Sequence, residues 1–300
     1  MVSHLSPRDA LPSSTEDRDE TLMDKPLRQK PAIALLVAGS MFMEQLDGTV
    51  IVTALPDMAA SFRVAPVDLN IGMSAYLLAV AVFIPASGWI TDRFGGRAIF
   101  ASAITLFTLA SVMCAASTSL LEFTAARVLQ GIGGAMTVPV GRLIVLRTTE
   151  KRQLIRAIAL LTWPALTAPV LGPPLGGLIT TYSSWHWIFL INVPLGLSGL
   201  VLALILVPNE RAPDTGPFDW LGFVSTGAAS FALMYSLESI GRNRIEWLVT
   251  GPLLALAVIA GTYAVQHARS AKHPLLDTSP FRVPTFAVTN AGGALMRVAI

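Results

Sequence analysis

Apolar runs of about 20 residues recur along this chain from Pro31 onward, and that is the length an α-helix needs to cross a bilayer. The composition agrees with such spans. Of the 300 residues, 53% are hydrophobic and only 13% are charged, which is too apolar for a soluble domain of this length. The sequence therefore predicts an all-α polytopic membrane protein.

The runs predict eight complete spans and the beginning of a ninth. The ninth begins near Pro284 and is cut off at Ile300, which favours a fragment or a truncated reading frame. Residues 1–31 are polar and of mixed charge, so they predict a disordered cytoplasmic tail. They lack the apolar core of a cleaved signal peptide. The predicted spans lie near residues 32–54, 69–91, 98–118, 120–144, 156–180, 185–207, 218–238 and 247–267.

Lysines and arginines are distributed unequally between the two sides of these spans. If the amino terminus is inside, 15 of the 21 lie in cytoplasmic segments, three lie in outer segments and three lie within helices. Because positive charge is retained on the cytoplasmic side, we expect a multi-pass protein of the cytoplasmic (inner) membrane with a cytoplasmic amino terminus. The outer set is Arg63, Arg242 and Arg244, and the intramembrane set is Arg127, Arg142 and Arg297.

The fourth predicted span is unusually polar, since it carries Arg127, Gln130 and Arg142. An arginine costs roughly 2.5 to 3.5 kcal/mol at the centre of an inserting helix. We therefore expect these side chains to face a protein interior or a water-filled cavity. The span also contains small residues that allow a second helix to approach closely. These are Gly131, Gly133, Gly134 and Gly141, with Pro139 among them.

A short segment, GWITDRFGGR at residues 88–97, joins the second and third spans. A turn this short needs glycine where the backbone takes a positive φ. One interpretation is a charged turn that obeys the positive-inside rule. The spacing is more specific than that, and it resembles the signature loop of the major facilitator superfamily. The matching residues are Gly88, Asp92, Arg93, Gly95 and Arg97.

Three further motifs carry the same resemblance. Residues 46–52, LDGTVIV, resemble the first-helix motif of the fourteen-helix drug:proton antiporters. Arg127 and Gln130 with the glycines that follow resemble the fourth-helix motif that this family ties to proton coupling. Residues 172–177 resemble the fifth-helix antiporter motif, through Gly172, Pro173, Gly176 and Gly177.

Two later runs narrow the resemblance to a subfamily. The runs WHWIFLINVPLG at residues 185–196 and FDWLG at residues 218–222 are typical of the EmrB/QacA-type fourteen-helix group. Within that group the chain looks closest to the MdtD-like multidrug branch. The resemblance covers about residues 33–300.

The resemblance implies a major facilitator fold and a division of the chain. Residues 32–207 would form a six-helix amino-terminal domain, and residues 208–283 would carry two inserted helices, 7 and 8, with their linkers. Residues 284–300 would begin helix 9 of a truncated second domain. We expect the chain to be monomeric in the lipid bilayer, with an adaptor protein as a further option.

The function implied is proton-coupled secondary transport that exports small molecules, such as drugs, dyes or organic acids. The partners would be protons and a small-molecule substrate. The alternative is a truncated, transport-inactive membrane protein derived from a transporter, or a sensor.

The resemblance also assigns candidate roles to particular residues. It implies proton coupling at Asp47, Arg127 and Gln130. We expect Glu44 to take part as well, on the grounds of its position in the span, although it departs from the uncharged residue usual in the family. The two carboxylates are three residues apart on one helix face, and a buried carboxylate can carry a proton. The alternative for Asp47 is a structural ion pair with Arg127. The 88–97 segment is expected to latch neighbouring helices and to act as a cytoplasmic gate.

Substrate contact is a separate hypothesis for Arg142 and Trp163. Arg142 can snorkel to the cytoplasmic interface, or it can point into the central cavity, where its planar fork would suit a carboxylate. Trp163, Trp185 and Trp187 are interpreted either as lining a drug site or as interfacial anchors.

An enzyme is the least expected class. The sequence shows no nucleophile–base pair and no cluster of metal ligands, and its four histidines are scattered. The glycines after Arg127 do not follow a strand, so they do not form a dinucleotide-binding loop. Cys114 is the only cysteine, which excludes an intrachain disulfide. We expect no cofactor, no metal and no nucleic-acid partner.

Overall fold

The computed structural model describes residues 30–211, 215–240 and 246–277, with short pieces between 280 and 293. Most of the predicted tail over 1–31 and most of the predicted ninth helix over 284–300 lie outside these residues, as do Arg242 and Arg244. Within the described ranges, eight helical segments are long and apolar enough to cross a membrane. They correspond to the eight complete spans that the sequence predicts.

Ten α-helices and three short 3₁₀ turns build these segments in the part of the chain that the structure describes. Two of the spans are composite, because α2 continues into α3 and α7 continues into α8. The helices are α1 (Lys30–Phe62), α2 (Asn70–Phe83), α3 (Ser87–Phe94), α4 (Gly96–Ala116), α5 (Leu120–Thr148), α6 (Leu154–Tyr182), α7 (His186–Leu190), α8 (Asn192–Leu206), α9 (Trp220–Ile240) and α10 (Trp247–Ser270).

The structure differs from two of the predicted helices, one by an internal break and one by its end, and a proline is involved in each case. The second span is not one helix, because a 3₁₀ turn at Ile84–Ala86 separates α2 from α3. Pro85 lies in that turn and has no N–H to donate, which interrupts the α-helical ladder. The first span was expected to end at residue 54, yet α1 continues past Pro56 to Phe62. Its last two turns bury Met58 in the core, and this packing outweighs the missing hydrogen bond.

The helix α1 runs through the middle of a six-span bundle. It packs along most of α6 and also contacts α5 and α8. The helix α4 packs between α5 and α8, and α2 packs on α5. The pair α9 and α10 pack on each other, and α9 attaches the pair to the outside of the bundle at α2.

The glycines of α5 explain how closely the bundle packs. A Cβ at Gly131 would lie 2.5 Å from the carbonyl oxygen of Tyr76 on α2, and one at Gly133 would lie 2.8 Å from the backbone of Phe107 on α4. At Gly141 it would lie 2.6 Å from Val37 on α1. The expectation that these glycines admit neighbouring helices is confirmed.

Two large apolar cores lie along the bundle, with a smaller cluster of Met43, Tyr76 and Phe107 beside them. One large core surrounds Phe100 towards the end that carries Asp92, and the other surrounds Phe123 towards the end that carries Asp68. Between them α1 places two buried carboxylates, Glu44 and Asp47. A buried charge must be paired or hydrogen-bonded, so the residues around these two carboxylates define the candidate site.

Candidate functional site

The centre of the site is an ion pair between α1 and α5. Arg127 Nη1 lies 2.7 Å from Asp47 Oδ2, and both side chains are almost completely buried, at 2% and 0% exposure. Removing either partner would leave an uncompensated buried charge, which typically destabilises a protein by about 3 to 5 kcal/mol. The expectation that Arg127 faces a protein interior is therefore confirmed.

Side-chain amides complete the coordination of Asp47. Gln130 Nε2 and Asn192 Nδ2 donate to Asp47 Oδ1 at 2.9 Å and 2.8 Å. Arg127 also donates to Gln130 Oε1 at 2.6 Å, and Ser111 Oγ accepts from Gln130 at 2.8 Å. We call Asp47, Ser111, Arg127, Gln130 and Asn192 the polar cluster. It joins four helices, α1, α4, α5 and α8.

The second carboxylate lies beside this cluster and has a different environment. Glu44 Oε1 accepts from the Tyr76 hydroxyl at 3.3 Å, and Glu44 Oε2 is buried with no hydrogen-bond partner among the described residues. The Tyr76 ring in turn lies under the Arg127 guanidinium, 4.3 Å from its carbon to the ring centroid. Tyr76 therefore links Glu44 to the polar cluster, since its hydroxyl contacts Glu44 and its ring contacts Arg127.

Two members of the polar cluster, Ser111 and Arg127, lie nearer to one end of their helices than to the other. Ser111 is five residues before the last residue of α4 and Arg127 is seven residues after the first residue of α5. At 1.5 Å per residue, both lie about 8 to 11 Å from the end that carries Asp68. Asp47 itself lies midway along α1, 17 residues after Lys30 and 15 residues before Phe62, so the cluster extends from the middle of the bundle towards the end that carries Asp68, opposite the 88–97 segment.

This arrangement allows the binding of a proton at Asp47 to be coupled to the packing of the helices. The ionised Asp47 carboxylate accepts from donors on α5 and α8 at once. Protonation would remove the charge that pairs with Arg127 and would turn one acceptor into a donor. Proton binding at Asp47 would thus change how α1, α5 and α8 are held together.

The 88–97 segment contacts neighbouring helices at the opposite end of the bundle. Asp92 Oδ1 lies 2.8 Å from Arg147 Nη2 of α5, and both side chains are partly exposed. Arg93 reaches Thr215 and Arg97 reaches the Leu204 carbonyl, each at 3.5 Å. The segment thus contacts α5, α8 and the residues that follow α8.

Of the glycines in that segment, only Gly95 has the backbone that requires glycine. Its φ is +96°, where side chains are strained, and it ends α3. Gly88 lies inside α3 with open space beside it, so the expectation that it is a turn glycine is wrong. Because α3 ends at Phe94 and α4 begins at Gly96, Gly95 alone connects the second span to the third.

The fifth-helix motif packs α6 against α1. A Cβ at Gly172 would collide with Thr49, and one at Gly176 would collide with Thr53. Thr49 Oγ1 also donates to the Ala168 carbonyl at 3.3 Å. Pro173 lies inside α6, and Gly177 has open space beside it. The first two glycines of the motif therefore set the distance between α1 and α6.

The two candidate substrate residues, Arg142 and Trp163, lie at different places in the bundle. Arg142 is exposed and lines a cleft of about 300 Å³ between α5 and α6, together with Leu146, Ile158 and Thr162. Trp163 is 43% exposed and stacks on Phe42 of α1, with ring centroids 5.9 Å apart.

The expectation for Trp185 is wrong. Trp185 is 5% exposed and its ring packs edge-on against Phe62, with centroids 5.5 Å apart. It is a core residue and neither lines a cavity nor anchors an interface. Trp187 is 56% exposed, which keeps the interpretation as an interfacial anchor open.

Three residues of the site were missed by the sequence reasoning, namely Tyr76, Ser111 and Asn192. Asn192 could have been predicted from the sequence, because a side-chain amide within a span needs a hydrogen-bond partner. Ser111 and Tyr76 carried no such signal, since serine and tyrosine are common in spans. Among the described residues, no group of three His, Cys, Asp or Glu side chains is placed to hold a metal ion.

Comparison with known proteins agrees with this fold and these motifs. Residues 37–299 match the family model of the Major Facilitator Superfamily. The chain is similar to the putative multidrug resistance protein MdtD of Escherichia coli K12 and of Shigella boydii serotype 4, with 42% identity over 263 residues in each case. That alignment covers 88% of this chain and 56% of the relative, so the chain spans about half the length of the curated relatives it matches.

Solved structures show the same fold at low sequence identity. The POT family transporter PepTSo aligns with a TM-score of 0.56 at 15% identity, covering 86% of this chain and 57% of that one. An inward-facing bacterial homologue of the human lysosomal transporter Spinster aligns with a TM-score of 0.50 at 16% identity, covering 82% and 65%. The predicted all-α polytopic fold is confirmed. The chain is a multi-pass membrane protein that belongs to the Major Facilitator Superfamily.

Proposed function

We propose that this chain provides the amino-terminal half of a proton-coupled secondary transporter that exports small molecules, such as drugs, dyes or organic acids. The observation that carries the proposal is the buried ion pair of Asp47 and Arg127, with Gln130 and Asn192 bound to the same carboxylate. An ion pair with only a structural role needs no second buried carboxylate beside it. Glu44 nevertheless lies on the same helix as Asp47 and is linked to the pair through Tyr76. The similarity to MdtD supports multidrug export.

The proposed orientation places the amino terminus and the 88–97 segment in the cytoplasm. Arg93, Arg97, Arg147 and Lys151 lie at that end of the bundle, whereas Arg63 lies at the other. The positive-inside rule supports this choice. Ser111 and Arg127 then lie on the side of the outer surface, from which an exporter coupled to an inward proton gradient receives its protons.

The proposed division of the chain follows from the family resemblance and the packing. Residues 32–207 form the amino-terminal domain, residues 208–283 carry the inserted pair with its linkers, and residues 284–300 begin the second domain. We propose that the transporter is a monomer in the bilayer. A mass measurement in detergent tests this, and a co-purifying adaptor protein would add a partner.

The experiment that tests the function uses the full-length protein in proteoliposomes with an imposed pH gradient. Uptake of a fluorescent cationic dye and of a dicarboxylate is followed when the lumen is acidic, which mimics the outer side. We expect accumulation of at least one of the two, and its loss when an uncoupler dissipates the gradient. Accumulation that persists after the uncoupler would contradict proton coupling, and no accumulation of any tested compound would contradict export.

A further inference from the structure

The residues between α8 and α9, 207–219, form a linker that lies against the 88–97 segment; residues 212–214 are outside the described part of it. Trp89 Nε1 donates to the Gly216 carbonyl at 2.9 Å. Arg211 Nε donates to the Phe94 carbonyl at 3.2 Å. These bonds run in opposite directions, so each of the two segments satisfies a backbone carbonyl of the other.

A third contact occupies the space that Gly95 leaves. A Cβ at Gly95 would collide with the side-chain oxygen of Asn209. The same oxygen accepts from the backbone N–H of Ala98 at 3.4 Å, which is one of the donors left without an intrahelical partner at the start of α4. The linker therefore fits a site that the absence of a side chain at Gly95 creates.

Aromatic rings extend this contact into the inserted pair. The Trp89 and Phe218 rings pack edge to face with centroids 4.9 Å apart. Phe218 also packs on Phe223 of α9 at 5.6 Å, and Phe223 packs on Phe83 of α2 at 5.7 Å. A continuous row of rings thus joins α3, the linker, α9 and α2.

Asp219 holds the end of the linker to both inserted helices. Its Oδ1 accepts from the Gly222 N–H at 2.8 Å, which caps α9. The same oxygen lies 2.7 Å from His267 Nε2 on α10, and the Asp219 side chain is only 9% exposed. Burial alone would raise the pKa of Asp219, but these hydrogen bonds outweigh burial and lower the pKa, so the carboxylate is ionised at neutral pH.

The chain that follows α10 returns to the linker as well. Leu275 donates its backbone N–H to Asp219 Oδ2 at 3.2 Å. The His273 ring lies against Gly216, where a Cβ would be 2.6 Å from the ring. Asp219 is therefore bound from α9, from α10 and from the residues beyond α10.

We propose that Asp219 is a positioning residue for the 88–97 segment. By fixing the linker between the two inserted helices, it holds Gly216 and Phe218 against Trp89, so that the inserted pair and the segment move as one unit. This role deepens the proposed function, because it rests on the 88–97 segment acting as a gate. The inserted pair would then set how readily the Asp92–Arg147 latch opens.

Hydrogen exchange measured by mass spectrometry tests this on the full-length protein in nanodiscs. In Asp219→Ala we expect peptides covering residues 88–98 to exchange about tenfold faster, as loss of one or two net hydrogen bonds predicts. Asp68→Ala is the matched control, because the Asp68 carboxylate accepts from the Ala65 N–H at the other end of the bundle. It should change exchange only near residues 65–70.

Two further variants control for a general loss of folding in Asp219→Ala. Asp219→Asn keeps one acceptor oxygen and should give an intermediate rate. Trp89→Phe keeps a ring against Phe218 but removes the donor to Gly216, so Asp219→Ala added to it should give little further increase, because contacting residues are not additive. If the residues near Gly222 exchange faster in Asp219→Ala while residues 88–98 keep the wild-type rate, the proposed positioning role is wrong.

A transport measurement distinguishes the positioning role of Asp219 from the proposed transport function. Exchange is measured without substrate or gradient, so its result stands whether or not the protein transports. If wild type transports, Asp219→Ala should change the maximal transport rate with little change in substrate dissociation constant. An unchanged maximal rate would overturn the role in gating even if the exchange result holds.

Discussion

Arg127 of α5 and Asp47 of α1 are separated by 80 residues in sequence and form a buried ion pair at 2.7 Å. The pair is shared with amides from α5 and α8, so one carboxylate holds three helices. A proton on that carboxylate would therefore alter a tertiary contact, which a proton on an exposed carboxylate would not do.

Replacing Arg127 tests whether geometry or charge matters at this pair. Arg127 Nη1 donates to Asp47 and to Gln130, and its planar group lies over the Tyr76 ring. Lysine keeps the charge but lacks the planar fork. We expect Arg127→Lys to impair gradient-driven export nearly as much as Arg127→Ala, measured at equal amounts of folded protein. Wild-type rates in the lysine variant would show that charge alone is sufficient.

Glu44→Gln tests the second carboxylate. A glutamine at position 44 can still accept from the Tyr76 hydroxyl, so the shape and the hydrogen bond are kept while the ionisable group is lost. We expect gradient-driven export to fall while dye binding stays within about twofold, because only interactions that differ between states affect coupling. The measurement is export as a function of lumenal pH. A pH profile identical to wild type would remove Glu44 from the coupling mechanism.

Asp92→Asn tests the latch at the opposite end. The Asp92–Arg147 pair is 36–41% exposed, so its contribution to stability should be small, about 0 to 1 kcal/mol. We expect slower turnover with little change in substrate affinity, since the pair lies far from the bundle interior. Measured dye dissociation constants and transport rates separate the two. A large loss of binding with normal turnover would contradict a gating role.

Arg142→Gln tests whether the cleft between α5 and α6 contacts substrate. The cleft is apolar apart from Arg142 and Thr162, so the guanidinium is its only charge among the described lining residues. If Arg142 binds carboxylates there, the variant should lose export of a dicarboxylate and retain export of a cationic dye. Equal effects on both compounds would assign Arg142 to the membrane interface.

The sequence predicts the local features of this protein well. The eight spans follow from apolar run length, and the burial of Arg127 follows from the cost of a charge in lipid. The break at Pro85 also had a local signal, since proline lacks the N–H of an α-helix, but the prediction treated the run as one helix. Gly88 and Gly95 look alike in the motif and differ only in the backbone that the fold gives them.

The partners of these residues could not be predicted, because they depend on how distant helices pack. Asn192 lies 145 residues from Asp47 and Ser111 lies 81 residues from Asn192. Nothing in the run around Ser111 distinguishes it from other small polar residues in spans. The contacts between Trp89 and Gly216 are likewise tertiary, since they join two segments that the motifs describe separately.

Asp47 is the residue that we propose couples proton movement to export. The most direct test of this role is dye transport by Asp47→Asn in proteoliposomes with an acidic lumen, alongside Asp57→Asn as the matched control. Asp57→Asn is the same chemical change on the same helix, but the Asp57 side chain is exposed and lies near the end of α1. We expect wild-type transport in Asp57→Asn. In correctly inserted Asp47→Asn we expect accumulation no greater than in protein-free liposomes. Gradient-driven accumulation by Asp47→Asn at the wild-type rate would contradict this role.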